Sequence, residues 1–347
     1  MSGTRGVDMF VVGGGPAGLA CAIAGALRGL KVRVVDVAPG GPVDKACGEG
    51  LLPDAVEALR RLGVRVAGRQ FAGIRFHEEE RVAQARFPVG LGLGVRRTEL
   101  HGALIQRASQ IGVRVEWGTA FRGLDEIEAR FVIGADGGQS RVREAAGLDH
   151  PATTRRVGLR QHFTVTPWSE FVEVYWGDGV QAYVTPVAER EVGVAFLATR
   201  RLQGVAEALA CFPELRERLE GAEATSKAKG GLTVTRKLGR VTSGRVALVG
   251  DASGSVDAIT GEGLNLAFRQ AESLVEAVLA GRLERYEEAH RRVMRTARVM
   301  SEALLWMDRS AVVRHGAMAG LSNCPWVFRG LLGVHVGGGR LAGPLTA

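Results

Sequence analysis

The chain is poor in cysteine, in aromatic residues and in lysine, and each scarcity removes a class of protein. Only four cysteines occur among 347 residues (Cys21, Cys47, Cys211 and Cys324), far apart and never in a CxxC pair. That excludes a disulfide framework and a cysteine-based zinc site, and it makes the reducing cytoplasm the expected compartment. The seven histidines show neither metal-ligand spacing nor a triad context, so no metal and no hydrolase constellation are expected. The net charge is +8, but no run of five or more like charges appears, and lysine is confined to positions 31, 45, 227, 229 and 237. The excess therefore reads as a solvated, arginine-rich surface and not as a nucleic-acid footprint, although a basic face can attract anionic substrates, nicotinamide phosphates or lipids. Only Met9 to Leu27 is long and apolar enough to be mistaken for a membrane span, and its glycines and Pro16 belong to a turn. A second complete GxGxxG is also missing; Gly337 to Gly339 lack a following helix and an acidic partner, and residues after Val336 read as a loose tail.

What is present is a three-part pattern. Val7 to Val12 read as a buried strand, followed by Gly13-x-Gly15-Pro16-Ala17-Gly18 and a helix from Pro16 to Arg28. Lys31 to Val35 form the next strand, which ends at Asp36, eighteen residues beyond Gly18. The first glycine permits the tight turn, the second lets a pyrophosphate approach the backbone, and the third allows helix to pack on strand. The free N–H groups of the helix terminus suit phosphate, and the acid suits a ribose hydroxyl without a 2′-phosphate. The second part is Gly134-Ala-Asp136-Gly137-x-x-Ser140-x-x-Arg143, and the third is Gly250-Asp251-Ala-Ser-Gly254 with Thr260-Gly261-Glu262-Gly263-Leu264-Asn265. Taken singly, these are an ordinary turn after the strand Arg130 to Ile133, a strand-end turn and a helix cap; their order and spacing speak for one nucleotide site.

In these three motifs the chain resembles the flavoprotein hydroxylases of the p-hydroxybenzoate hydroxylase fold and the related geranylgeranyl reductases, over residues 7 to about 280. The resemblance implies FAD as cofactor and a transient NAD(P)H donor. It implies that Gly13, Gly15, Pro16, Ala17, Gly18 and Asp36 hold the ADP part, and that Arg97 reaches the flavin's phosphate or ribityl side. Asp136 would organise the dinucleotide region and Asp251 would bind the ribityl chain. Gly261, Glu262, Gly263, Leu264 and Asn265 would open a helix whose positive end faces the flavin's pyrimidine ring, where it stabilises the negative charge of reduced flavin.

Within that group the features divide. Cys47-Gly48-Glu49-Gly50 and Gly254 are similar to the reductases, whereas Asn265 is the hydroxylase choice. Ala258 stands where both groups carry proline. In Gln181-Ala-Tyr183-Val-Thr-Pro186, Gln181 and Tyr183 occupy the positions of the reductases' lipid-lining Tyr and Trp, so that motif is degraded. Cys47 either lines the pocket beside the flavin or is a small residue packed in a glycine-rich loop.

The expected architecture is α/β: a Rossmann-like FAD-binding domain interleaved with a mostly antiparallel substrate sheet, followed by C-terminal helices. The FAD-binding domain takes residues 1–75, 95–155 and 240–283; the substrate domain takes 76–94 and 156–239; residues 284–347 form the helical region and tail. Residues 157 to 198 alternate apolar and polar positions, as strands exposed on one face do. Phe71 to Phe76 and Arg81 to Phe87 add to that sheet, and Tyr175, Trp176, Tyr183 and Phe196 are pocket candidates against a background of plain core aromatics. Glu284 to Ser310 reads as a long helix whose Arg291, Arg292, Arg295 and Arg298 form a solvated face, with a membrane-surface helix as the alternative. No side chain is assigned as catalytic acid or base. The expected function is an FAD-dependent monooxygenase acting on an apolar, aromatic or polyketide-like small molecule. The alternatives are a reductase of prenyl or lipid double bonds and a non-catalytic flavin-binding redox sensor.

Overall fold

The computed structural model describes residues 6–337. The loose tail expected after Val336 lies, from residue 338 onward, outside the described residues. At the centre is a six-stranded sheet in the order 242–243, 246–248, 129–134, 7–12, 32–36, 114–117. Val7–Val12 runs parallel to Val32–Asp36 on one side and to Ala129–Gly134 on the other. A strand covered on both faces needs a continuous apolar run, and Met9 and Val11 are fully buried. Helices Pro16–Leu27, Arg97–Gln110 and Gly263–Leu279 bury Leu19, Ile23, Leu100, Leu104, Phe268 and Leu274 in the same core. Strand, helix and strand thus follow the expected doubly wound course.

The second sheet has eight strands, with Thr154–Thr164, Phe171–Gly177, Val180–Ala188 and Glu191–Ala198 at its heart. A small three-stranded sheet of 50–51, 92–94 and 69–71 lies between the two larger ones in the chain path. The large sheet is antiparallel except where Phe171–Gly177 pairs parallel with Gly73–Glu78. Between them the chain leaves the sheet after Arg81–Arg86, passes through part of the nucleotide-binding fold and re-enters at Thr154–Thr164.

The expectation of one exposed face holds for Thr154–Thr164, where burial alternates, and fails for Phe171–Gly177, where six of seven residues are buried. The reason is cover on both sides. Ala208 and Leu215 of two short helices, with Phe212 between them, pack on Tyr175, Val184 and Phe196. On the other side Met307, Met318, Phe328 and Leu332 of the C-terminal helices pack on Phe76, Val174 and Trp176. The long helix runs from Glu284 to Arg309, as the pattern predicts. It ends because Ser310 takes an extended conformation and its hydroxyl accepts from Val313 N, which starts helix Ala311–Asn323; Pro325 then opens helix Pro325–Gly337.

On the face with the short helices, Glu173 is a buried anion. It accepts from Trp168 Nε1 at 2.8 Å, Tyr175 Oη at 2.7 Å and Arg75 Nη1 at 3.0 Å. Burial opposes its ionisation, yet the His77 imidazole 3.5 Å away and the hydrogen bonds from Trp168 and Tyr175 prevail and bring its pKa down to about 2 from an ordinary value of 4.5. A depressed carboxyl contributes stability that is complete above its unfolded value and disappears as pH falls through its folded value. Urea unfolding should therefore show stability declining from about pH 4.5 toward about pH 2. Glu173→Gln should flatten that slope, and an unchanged slope would refute the assignment.

Candidate functional site

The glycine turn after the first strand is a place where backbone meets backbone. Gly13 has φ +112°, and a Cβ there would lie 2.3 Å from Ala135 O. A Cβ on Gly18 would lie 1.8 Å from Gly13 O. Gly15 differs, since a Cβ there meets nothing within 4 Å. Its open side lies at the start of helix Pro16–Leu27, which has no side-chain cap and no acidic residue in its first turn. An unneutralised helix terminus beside an open glycine fits a pyrophosphate.

Asp36 closes the turn from the neighbouring strand. Its carboxylate accepts from Gly14 N at 2.5 Å and from Ala38 N at 2.7 Å, leaving one lone pair per oxygen for a ribose. His101 was not among the residues expected here, yet it braces the same turn. Its Nε2 lies 2.7 Å from Gly14 O and its Nδ1 accepts from Val43 N at 2.9 Å. That pattern requires a neutral ring with the proton on Nε2, and burial holds its pKa below the ordinary histidine value. A single histidine inside a helix carries no sequence signal for this role.

Asp136 braces the start of helix Arg141–Ala145, whose cap residue is Ser140. One oxygen accepts from Ser140 Oγ at 2.5 Å, the other from Arg141 N at 2.7 Å and Val142 N at 3.1 Å. It thus organises its own motif, through two backbone donors and the Ser140 hydroxyl. Arg143, 1% exposed, carries that motif to the third one: its Nη1 donates to Ala252 O at 3.2 Å and its Nη2 to Gly138 O at 2.9 Å.

The third motif lies against the first. A Cβ on Gly250 would meet the Cβ of Ala17 at 2.8 Å. Gln270 Oε1 accepts from Gly250 N at 2.8 Å, and Ser253 Oγ, itself 2.9 Å from His290 Nε2, donates to Gly250 O at 2.8 Å. Asp251 points outward, 3.6 Å from Lys45 Nζ, so the turn faces the loop that carries Cys47. Beyond it, Gly261 and Gly263 have open space where a Cβ would stand. They lead into helix Gly263–Leu279, with Leu264 packed against the core of the six-stranded sheet. Asn265 is 2% exposed with neither amide atom hydrogen-bonded, and Glu262 is 3% exposed with Oε1 unpartnered. Arg97 opens helix Arg97–Gln110 with its Nε also unpartnered. Unsatisfied buried polar atoms of this kind are costly unless a ligand completes them. Open glycines beside orphaned amide and guanidinium atoms are what an extended dinucleotide with a polar ring would fill, so the residues present fit FAD.

The loop of Cys47 is held by a buried ionic cluster. Glu49 has φ +59°, and its carboxylate accepts from Arg97 N at 2.8 Å and lies 2.6 Å from His162 Nε2 and 3.7 Å from Arg160 Nε. Arg160 also reaches Asp44, and Thr185 Oγ1 donates to Gly48 O at 2.7 Å. Cys47 is half-buried, with its Sγ 3.4 Å from Glu49 N. Tyr183 shares the sheet face of Thr185 and donates to Ile259 O at 3.0 Å, beside the third motif. Burial raises its hydroxyl pKa far above the ordinary value, so it is a permanent donor. Tyr175 is not brought here. It stands on the opposite face, stacked on His77 and packed near Phe212, because side chains alternate along a strand and Val174 and Trp176 take the inner face. Phe196 lies on that opposite face as well.

The family described as FAD binding domain matches residues 6–126 and 122–299. Digeranylgeranylglycerophospholipid reductase 1 of Methanopyrus kandleri is 30% identical, covering 88% of this chain and 92% of the relative. Rifampicin monooxygenase of Streptomyces venezuelae is 27% identical over 77% of this chain and 63% of the relative. The crystal structure of a flavoprotein/dehydrogenase from Cytophaga hutchinsonii shares the fold, with a TM-score of 0.79 at 22% identity over 94% of this chain and 93% of that one.

Two substitutions separate ligand space from packing. Gly15→Ala should leave the unfolding midpoint unchanged while weakening FAD binding about tenfold or more, because its methyl group enters only the ligand's space. Gly18→Ala should lose both stability and flavin. Wild-type FAD affinity in Gly15→Ala, measured by flavin fluorescence, would contradict this placement. Glu49→Gln should cost about 1.5–3 kcal/mol in urea unfolding, since it weakens the charged contacts to His162 and Arg97 N while Arg160 keeps Asp44.

Proposed function

The chain belongs to the FAD binding domain family, and from that footing we propose that it is a monooxygenase of an apolar, aromatic or polyketide-like small molecule. It is an FAD-dependent oxidoreductase of the superfamily that joins the flavoprotein hydroxylases to the geranylgeranyl reductases. One observation carries the choice. The two positions expected to line a prenyl groove are tied into polar contacts: Gln181 binds the Asp308 carboxylate, and Tyr183 binds Ile259 O. Asp308 in turn accepts from Arg156 Nη2 at 2.6 Å, and Arg156 Nε lies 2.9 Å from Asp257. A wall pinned in this way supports a compact substrate and does not suit a long flexible chain.

When bound, FAD supplies two-electron transfer and the activation of oxygen, with a nicotinamide nucleotide as the donor. The chain's residues hold and shield. Asn265 and the N-terminus of helix Gly263–Leu279 offer a donor and a positive end to the ring's polar edge. Trp176, Ile259 and Phe328 belong to an apolar cluster that keeps water away from the face carrying Tyr183. In this reading residues 76–94 and 156–239 recognise the substrate, and Cys47 borders it.

A second reading, reduction of a carbon–carbon double bond in a lipophilic substrate, is favoured by the pinned Cys47–Gly50 loop and by the reductase relative. The cytoplasm suits the four free thiols. Among the described residues no helix is long and apolar enough to cross a membrane. Trp306 and Val312, 66% and 82% exposed, flank Arg309 at a helix corner and suit contact with an anionic lipid surface.

The deciding experiment incubates the yellow protein with NADPH or NADH and a panel of lipophilic phenols, quinones and prenyl compounds, with and without oxygen. A product heavier by one oxygen atom, formed only in air and with one oxygen molecule consumed per product, is expected. A product heavier by two hydrogens, formed equally well without oxygen, would replace this reading with the reductase.

A further inference from the structure

The N-terminus of helix Gly263–Leu279 carries a feature that FAD binding alone does not explain. Glu262, the residue before the helix, is 3% exposed, and its Oε2 lies 3.1 Å from Nδ1 of His335, which is 6% exposed. The imidazole comes from helix Pro325–Gly337, whose Phe328, Leu332 and Val336 pack in one cluster with Leu52 and Ile259. The last helix therefore delivers a titratable ring to the helix terminus expected to face the flavin. Glu262 Oε1 has no hydrogen-bond partner among the described residues, and the polar atom beside His335 Nδ1 is that Oε2. The other charges felt at Glu262 are Arg269, further along its own helix, and Asp54 in the first turn of Pro53–Arg61. Those two oppose each other in sign, and burial outweighs Arg269, the stronger of them.

We infer that Glu262 and His335 form a neutral pair holding one proton, and that this pair sets the charge at the helix terminus and thereby the reduction potential of the bound FAD. The inference rests on the FAD reading and deepens it. An ionised pair at this depth would have to desolvate both charges, whereas a carboxylic acid donating from Oε2 to Nδ1 would leave nothing charged. Burial acts on both partners in that direction: it lifts the carboxyl to about 8 and lowers the imidazole to about 4, so the proton stays on Glu262 at neutral pH. With Glu262 neutral, the helix's positive end is free to stabilise the negative charge of reduced flavin. With Glu262 ionised, the carboxylate competes for the same terminus. Both residues are positioning residues, acting through the helix end.

Two measurements test this. Infrared spectra of the apoprotein at neutral pH should contain the carbonyl stretch of a protonated carboxylic acid that Glu262→Gln abolishes. Loss of no such band in the variant would overturn the pair without reference to flavin. In the FAD-loaded protein, the midpoint potential should be followed from about pH 6 to about pH 10. Wild type should show an extra fall centred near pH 8, equivalent to about a tenfold loss of preference for reduced over oxidised FAD. Glu262→Gln should lack that fall, and His335→Phe, which removes the acceptor, should move it to lower pH. Superimposable profiles for wild type and Glu262→Gln would refute the tuning. A protein that takes up no FAD would refute the flavin reading and the tuning together, while the infrared band would still decide the pair.

Discussion

Backbone approach closer than any side chain permits is the constraint on which this molecule depends. At the C-terminal edge of the central sheet, the turn at Gly13, the start of helix Pro16–Leu27 and the segment around Ala135 meet with no room for a Cβ at Gly13 or Gly18. Gly250 then lies on Ala17. Three segments far apart in sequence are thus locked into one surface, and the residues on that surface fit FAD. The glycines do two separate jobs. Gly13 and Gly18 let protein touch protein, whereas Gly15, Gly261 and Gly263 leave space open.

The remaining architecture holds that surface against the large sheet with charges that are buried in pairs. Arg143 bridges the second motif to the third, and Glu49, with Arg160, His162 and Asp44, fixes the Cys47 loop beneath Arg97. Arg156, Asp257 and Asp308 fix the segment before Gly261, where Ala258 stands in place of proline. Buried ion pairs of this kind are weak sources of net stability, but removing one partner is expensive. They therefore specify one arrangement more than they strengthen it. Rigidity that a proline ring supplies through a fixed φ is supplied here by an arginine between two aspartates.

Covering both faces of the large sheet has a functional consequence. The inner face, with Trp176 and Tyr183, looks toward the third motif and the C-terminal helices, while Tyr175 and Phe196 face the two short helices. Two aromatic residues adjacent in the sequence, Tyr175 and Trp176, thus have unrelated surroundings. The C-terminal helices also reach the start of helix Gly263–Leu279, through His335.

The nucleotide-binding half was legible in the sequence because its signals are local. A glycine turn, an apolar strand and an acid at a strand end each act through the backbone within one βαβ unit, and the chain places them where the motif requires. The long helix was equally legible from its pattern, to within one residue of its end. What tertiary structure alone decided are relations between distant segments. His101 under the glycine turn, Glu49 between a strand and the start of helix Arg97–Gln110, and His335 against Glu262 have no spacing that announces them, because each partner lies on another element. The face on which Tyr175 falls was likewise undecided: an alternating strand has two sides, and only the packing of helices says which side meets the ligand.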